Sequence, residues 1–433
     1  MSVDYSVFKD RRKKLVEEIK KNNPDVKNGV IVLFAGLENS KYRFRQNSSF
    51  YYLTGIEEPG VVLCSYFDGT DVLYTPFYGS SRAQWVQESI CSMCDDAEKM
   101  KQNCKHMNIS EIKYLGDTCA GYNLGKFFIH KEYKVLLEDL GGGVNVGGHV
   151  CGFIKEQNSF YFSQIYRLQN IFSALSSDVK KCDISTIVHE MRQKKNKKEI
   201  TSIQKAVDIT VTTHQYISRI INHGFFEHEI EGMISYSFLQ HNATGPAFPS
   251  IVATGKNAST LHYTGRDGKF KSGDLVVVDI GAEYKNYCGD LTRTYPVSGK
   301  FTERQKELYQ IVLDVQQHVE SVAKPGMFLN NPDEQDKSLH HIAVKQFEKE
   351  KLDSYFIHGV GHFLGLDVHD VGDRTKPLCE GDIFTIEPGL YIPEENIGIR
   401  IEDDFMITKD GCICLSSKLC KKPEDIESLM KGK

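Results

Sequence analysis

Asp279 closes a run of β-branched and apolar residues, Leu275-Val-Val-Val-Asp-Ile280, that has the composition of a buried strand. Asp290 follows inside Cys288-Gly-Asp-Leu-Thr-Arg-Thr-Tyr295, also strand-like. If the two strands form a hairpin turning at Tyr284-Lys285, the carboxylates lie directly opposite on one face, with Cβ atoms about 4.5–5.5 Å apart. Like charges so placed repel, and a divalent cation between them removes the conflict. Further on, Phe356-Ile-His358-Gly-Val-Gly-His362-Phe-Leu-Gly-Leu-Asp-Val-His369-Asp370 spaces two histidines four apart, as on a helix face. Gly359, Gly361 and Gly365 favour loop or strand there instead. His262 lies in another glycine-punctuated stretch. Any one of these histidines alone reads as structural, whereas four in two such stretches ask for a common reason. Two glutamates complete the set. Asp382-Ile-Phe-Thr-Ile-Glu387-Pro-Gly389 ends an apolar strand on a carboxylate, and Ile397-Gly-Ile-Arg400-Ile-Glu402-Asp403 puts Arg400 and Glu402 on one face at the strand period. A lone glutamate at a strand end is usually just exposed. Two, each delivered by an apolar strand, point to a polar site enclosed by a sheet.

The elements that must position these groups follow from periodicity. Ile200, Ile203, Val207 and Val211 recur at helical spacing, and a second helix over 227–240 carries Ile230, Ile234 and Phe238 at the same period. The lysines of Lys194-Lys-Asn-Lys-Lys198 read as the solvated edge of the first of these helices. From Pro249 onward the pattern changes to strands and glycine-punctuated turns, so this half is α+β with a largely antiparallel sheet. The first half begins with a charged amphipathic helix and alternates strands with helices, an α/β pattern. Its strand candidates are Gly29–Gly36, Gly60–Phe67, Asp71–Thr75 with Asp68-Gly69 as the turn before it, and Lys134–Leu137. Ser81–Asn103 reads as helix and Gly141-Gly-Gly143 as loop. A boundary near Ser173–Asp183 gives a smaller domain over 1–175 and a larger one over 176–433.

Length and composition agree with that division. A chain of 433 residues exceeds what one core usually holds together. With 40% hydrophobic residues, 26% charged residues and a net charge of -5, it lacks the basic balance of a nucleic-acid binder. No secretory signal opens it and no apolar run of about 18 residues crosses it, so a cytoplasmic protein without a membrane partner is expected. The 12 cysteines are irregularly spaced, as reduced thiols are. Cys91, Cys94, Cys104 and His106 have zinc-ligand chemistry at an unusual spacing. Cys412 and Cys414 share one face of a strand and read as core residues.

The segments around Asp279, Asp290, His362, Glu387 and Glu402 resemble, in type and order, the five metal-ligand motifs of the pita-bread metallopeptidases. That family includes methionine aminopeptidase, prolidase and aminopeptidase P. The resemblance implies an α+β fold: a C-terminal pita-bread (creatinase/methionine aminopeptidase-like) catalytic domain preceded by a smaller α/β N-terminal domain. It implies two divalent metal ions on those five residues. Four carboxylates and an imidazole balance two such ions, and the oxygen-rich set favours manganese while also suiting zinc or cobalt. Ile251-Val-Ala-Thr-Gly-Lys-Asn-Ala-Ser-Thr-Leu-His262-Tyr263 is similar to the substrate-facing histidine segment of aminopeptidase P and prolidase, and His369 and Arg400 match further positions of that branch. Tyr42-Arg-Phe-Arg-Gln-Asn-Ser-Ser-Phe-Tyr-Tyr-Leu-Thr-Gly55 resembles the amino-terminal domain of aminopeptidase P.

The implied activity is an exopeptidase that releases the first residue of small peptides carrying proline second. A water of lowered pKa supplies the hydroxide nucleophile. Glu387 acts as general base, His369 and His262 steady the carbonyl oxygen, His358 walls the proline pocket, and Arg400 supports Glu402. Prolidase, acting on Xaa-Pro dipeptides, is the nearest alternative, and a ligand-free pita-bread binding module the most distant. The resemblance leaves room for a homo-oligomer.

Overall fold

The computed structural model describes residues 3–37, 43–76, 97–115, 150–153 and 180–431. The chain divides into two compact units, Met1–Met191 and Arg192–Lys433.

In the first unit, helix α1 (Ser6–Asn22) buries Phe8, Leu15, Val16 and Ile19 on one face. Arg12 is buried among them because its guanidinium forms an ion pair of 2.7 Å with Asp71. Strands β1 (Gly29–Phe34), β2 (Val62–Tyr66), β3 (Asp71–Thr75), β4 (Glu111–Tyr114), β5 (Val150–Phe153) and β6 (Lys180–Asp183) form a sheet of order β4-β3-β2-β1-β5-β6. The expected pairing of β2 with β3 across Asp68-Gly69 is observed, with Gly69 at φ 93°. The β1–β2 and β2–β3 pairs are antiparallel, whereas β3–β4, β1–β5 and β5–β6 are parallel. Asn47 caps helix α2 (Ser48–Thr54) by accepting from the Phe50 amide, and Gly55 ends it at φ 67°.

Of the helix expected over 81–103, residues 97–103 are described, and they belong to helix α3 (Ala97–Met107). It carries Cys104, half-buried, and His106, exposed, whose ring packs edge-on to Tyr5. Two residues apart on a helix, they do not share a face. Cys91 and Cys94, the strand expected over 134–137 and the loop at 141–143 lie outside the described residues. Helix α4 (Ser185–Gln193) runs across the division between the units.

The second unit builds one large core between helices and antiparallel strands. Helix α5 (Lys197–Ile220) starts at a capping box in which Asn196 and Glu199 exchange bonds, and it buries Ile203, Val207, Val211 and Ile217. Helix α6 (Glu227–Gln240) buries Ile230, Ile234 and Phe238, as the periodicity requires. Short strands β7 (Gly245–Pro246) and β8 (Ile251–Thr254) lead into β9 (Leu275–Ile280), β10 (Ala282–Tyr284), β11 (Tyr287–Cys288) and β12 (Leu291–Pro296). Helices α7 (Glu303–Val322) and α8 (Leu339–Lys349) precede β13 (Ile383–Ile386), β14 (Gly389–Ile392), β15 (Ile397–Arg400), β16 (Asp403–Ile407) and β17 (Cys412–Cys414), and α9 (Pro423–Met430) closes the unit. Every strand pair described in this unit is antiparallel. Cys412 and Cys414 are half-buried against the core, with Ile413 turned outward. Among the described residues no helix is long and apolar enough to cross a membrane.

Two expectations change here. The hairpin turns at Lys285-Asn286, both at positive φ (51° and 66°), not at Tyr284-Lys285. Asn tolerates the left-handed region, and two such residues make the two-residue turn whose twist suits a hairpin. Asp279 therefore pairs with Thr292, and Asp290 lies one diagonal step away instead of directly opposite. A slip of two residues keeps both side chains on one face, so the site survives the error. Lys195 is the second change. Lys194, Lys197 and Lys198 are exposed, but Lys195 is buried with its ammonium 3.1 Å from Asp370.

Candidate metal centre

Each candidate ligand is delivered by an element whose own bonding fixes it. Asp279 sits near the end of β9, where its Oδ2 accepts from the Arg400 guanidinium at 2.6 Å. Asp290 follows Gly289 at the start of β12, and its amide donates to Asp404 Oδ2 at 3.0 Å. Glu402 joins β15 to β16. Its amide donates to the Thr292 carbonyl, and its Oε2 accepts from the Thr292 hydroxyl at 2.6 Å. The Val360–Leu364 segment runs beside β13, bonded through Glu387 N to Val360 O, Thr385 N to His362 O, and Leu364 N to Ile383 O. Gly361 permits that approach, since a side chain there would collide with the Thr385 carbonyl.

His362 donates from Nδ1 to the Phe363 carbonyl at 3.1 Å, which turns Nε2 toward Asp290 at 3.3 Å and Glu387 at 3.7 Å. Asp290, His362 and Glu402 are all buried, and each offers a donor atom within 4.8 Å of the others'. Glu387 lies beside them with its other oxygen 3.7 Å from His358 Nδ1.

The outer groups form a chain of hydrogen bonds. Arg400 donates to Asp279, to the Thr292 hydroxyl at 3.1 Å, and to the Tyr391 hydroxyl at 2.6 Å. Its hydrogen-bonded carboxylate is thus Asp279, while Glu402 is reached by charge and through the Thr292 hydroxyl, which accepts from Arg400 and donates to Glu402. Tyr391 in turn donates to His358 Nε2 at 3.1 Å. His358 Nδ1 donates to the Gly359 carbonyl. The His369 ring stands 4.2 Å, centroid to centroid, from that of His362. His262 and His369 are exposed at the residue level; burial of the ring, with His262 among the neighbouring charges, lowers the basicity of both His358 and His369.

The segment carrying His362 and His369 is held from behind by charges that sequence reasoning missed. Arg192 pairs with Asp367 at 2.8 Å and with Asp370, and Lys195 pairs with Asp370; the side chains of Arg192, Lys195 and Asp370 are at most 2% exposed. Burial alone would raise the Asp370 carboxyl, but the two cations hold it below the usual range. Tyr391, Thr292 and Asp404 were also missed. No local pattern distinguishes them, because each acts across a turn or between strands.

The donor set fits divalent cations. Burial, then neighbouring carboxylates, raise Asp290 and Glu402 well above their usual values, and burial raises Glu387 to about 7. Asp279 Oδ1 and Asp290 Oδ1 are buried with no hydrogen-bond partner. Unpartnered carboxyl oxygens beside an imidazole nitrogen are what a cation satisfies.

In the metal-free fold these raised carboxyls contribute stability at low pH that is lost as pH rises, for Glu387 through about 7. His214 and His358, held neutral by burial at about 3, work in the opposite sense, losing stability as pH falls. The metal-induced rise in Tm isolates the carboxyls, because cations must displace their protons. That rise is expected to be larger at pH 7.5 than at pH 5.5, with protons released on titration. A larger rise at pH 5.5 would contradict this account.

Against known proteins, residues 201–409 match the model of metallopeptidase family M24, and residues 8–103 match that of the aminopeptidase P N-terminal domain. The chain is 33% identical to an Xaa-Pro aminopeptidase of Escherichia coli, over 98% of this chain and 97% of that one. The chain belongs to the aminopeptidase P family of M24 metallopeptidases. The solved structure of aminopeptidase P from E. coli with the inhibitor Pro-Leu superposes with a TM-score of 0.81 at 29% identity, covering 100% of this chain and 99% of that one. An Xaa-Pro dipeptidase of Pyrococcus furiosus is 37% identical, but over only 53% of this chain and 64% of its own. The protein is therefore a metal-dependent exopeptidase with an N-terminal domain followed by a pita-bread domain, and the prolidase alternative fits less of it.

Proposed function

We propose that this aminopeptidase P family member releases the first residue from small peptides whose second residue is proline, with Asp279, Asp290, His362, Glu387 and Glu402 holding two divalent ions, manganese by preference. The observation that carries the reading is the buried convergence of Asp290, His362 and Glu402 beside the unpartnered oxygens of Asp279 and Asp290. Two bound ions would supply Lewis acidity, polarising a carbonyl and lowering the pKa of a water.

The protein's own residues do the rest. Glu387, at the mouth of the cluster, accepts the proton of the attacking water and returns it to the leaving nitrogen. His369 and His262 project from the exposed side, where hydrogen bonds to the scissile carbonyl oxygen strengthen as charge develops. His358, fixed by Tyr391 and the Gly359 carbonyl, forms a rigid wall suited to a proline ring. Arg400 orients Asp279 through a bond of 2.6 Å. Proline matters because its tertiary nitrogen and fixed ring defeat ordinary peptidase clefts.

The test compares an Xaa-Pro-Xaa tripeptide with an Xaa-Pro dipeptide, after chelation and after metal add-back. Chelation is expected to abolish cleavage, add-back to restore it at two ions per chain, and the tripeptide to be preferred. Full activity without metal would refute the site, and cleavage of the dipeptide alone would make the protein a prolidase.

A further inference from the structure

Glu227 is 1% exposed at the first position of α6, and among the described residues none of the groups bonded to its carboxylate is a cation. Oε1 accepts from the Thr254 amide at 3.0 Å and the Asn257 side chain at 2.9 Å. Oε2 accepts from the Tyr263 hydroxyl at 2.9 Å and the Gly268 amide at 2.9 Å. Asn257 also donates to the Tyr263 hydroxyl, which closes the network. A buried carboxylate is costly without such donors, and here the α6 N-terminus adds a favourable dipole.

These four donors belong to the two ends of one loop. Thr254 and Asn257 enter it from β8, Tyr263 and Gly268 lead out of it, and His262 lies between, next to Tyr263. The exit is also tied by backbone: Glu227 N donates to Gly268 O, and His228 N to Arg266 O. A side chain on Gly268 would collide with the Glu227 carboxylate, so glycine is what lets the amide reach it. On the other side, Ala258 of the same loop lies against Gly398, two residues before Arg400 in β15, where any side chain would strike the Ala258 carbonyl.

We infer that Glu227 is the positioning residue of His262, a clamp whose two carboxylate oxygens each hold one end of the loop presenting that imidazole to the substrate. The inference rests on the reading of His262 as a substrate-facing group. Only a carboxylate accepts at both oxygens and donates at neither. Glutamine keeps the shape but turns an NH₂ toward two of the four donors. Each pair contains a backbone amide, Thr254 or Gly268, that cannot reverse its role, so one end of the loop is released whichever way the glutamine faces.

The experiment compares Glu227→Gln with the parent, both loaded with metal. Amide hydrogen exchange over residues 255–268 is expected to accelerate by at least about tenfold. Displacement of a positioned group costs about 10²-fold, so kcat/KM on the tripeptide should fall by that order while metal content stays unchanged. In a His262→Ala background the same substitution should cost less than about threefold further, because both changes then act on one contact. An equal cost with and without His262 would make Glu227 a general stabiliser and overturn the inference, as would unchanged exchange of the loop. If the parent cleaves neither peptide, the proposed function has failed, and loop exchange alone decides the clamp.

Discussion

Glu387→Gln is expected to lower kcat by about 10²- to 10⁴-fold with both metals still bound. Glu387 leaves β13 held by its own amide bond to Val360 O, and Pro388 restricts the backbone that follows. Its carboxylate stands 3.7 Å from both His362 Nε2 and His358 Nδ1, one oxygen toward each. Glutamine retains the volume and one acceptor oxygen but has no basic site to take a proton. A candidate ligand can also fail by losing the ion it holds, so turnover must be expressed per bound metal pair. On that scale, wild-type turnover in the variant would remove Glu387 from the chemistry.

Arg293→Met is expected to destabilise the protein by about 3–5 kcal/mol, the usual consequence of stranding one partner of a buried ion pair. Arg293 is completely buried, and its guanidinium contacts Asp403 at 2.7 Å. It also donates to the carbonyls of Thr292, Glu402, Leu419 and Cys420. Methionine fills the stem but leaves the Asp403 carboxylate and those carbonyls short of a donor. Two of the carbonyls belong to the residues that cross-link β12 to the Glu402 turn, so metal affinity should fall together with stability. Denaturant titration of the metal-free and metal-loaded forms measures both, and a loss below about 1 kcal/mol would show that Lys421 and Ser416 satisfy Asp403 without Arg293.

The candidate site was legible where its chemistry is written locally. An apolar strand ending on a carboxylate exposes Asp279 and Glu387 to inspection, and a glycine-rich run with histidines exposes His358, His362 and His369. The helices over 197–220 and 227–240 were legible because one buried face imposes its period on a polar sequence. The hairpin register was misjudged by one residue at the turn, because Tyr284-Lys285 and Lys285-Asn286 differ only in which pair better tolerates positive φ. Contacts closed over long separations left no trace. Arg192 and Lys195 meet Asp370 some 175 residues later, and nothing in Lys194–Lys198 distinguishes the one lysine that is buried from its solvated neighbours. Glu227 likewise looks like any acidic residue in a helix's first turn.

The position of Arg192 and Lys195 governs how this chain can be shortened. Both lie ahead of α5, in a stretch that carries none of the five candidate ligands. A fragment begun at Lys197 would retain all five ligands, the hairpin and every histidine of the site. It would also strip Asp370 of both cations, directly beside His369. Such a fragment should bind metal poorly or fold only in acid, whereas one begun a few residues before Arg192 keeps the pair of cations where the carboxylate needs them.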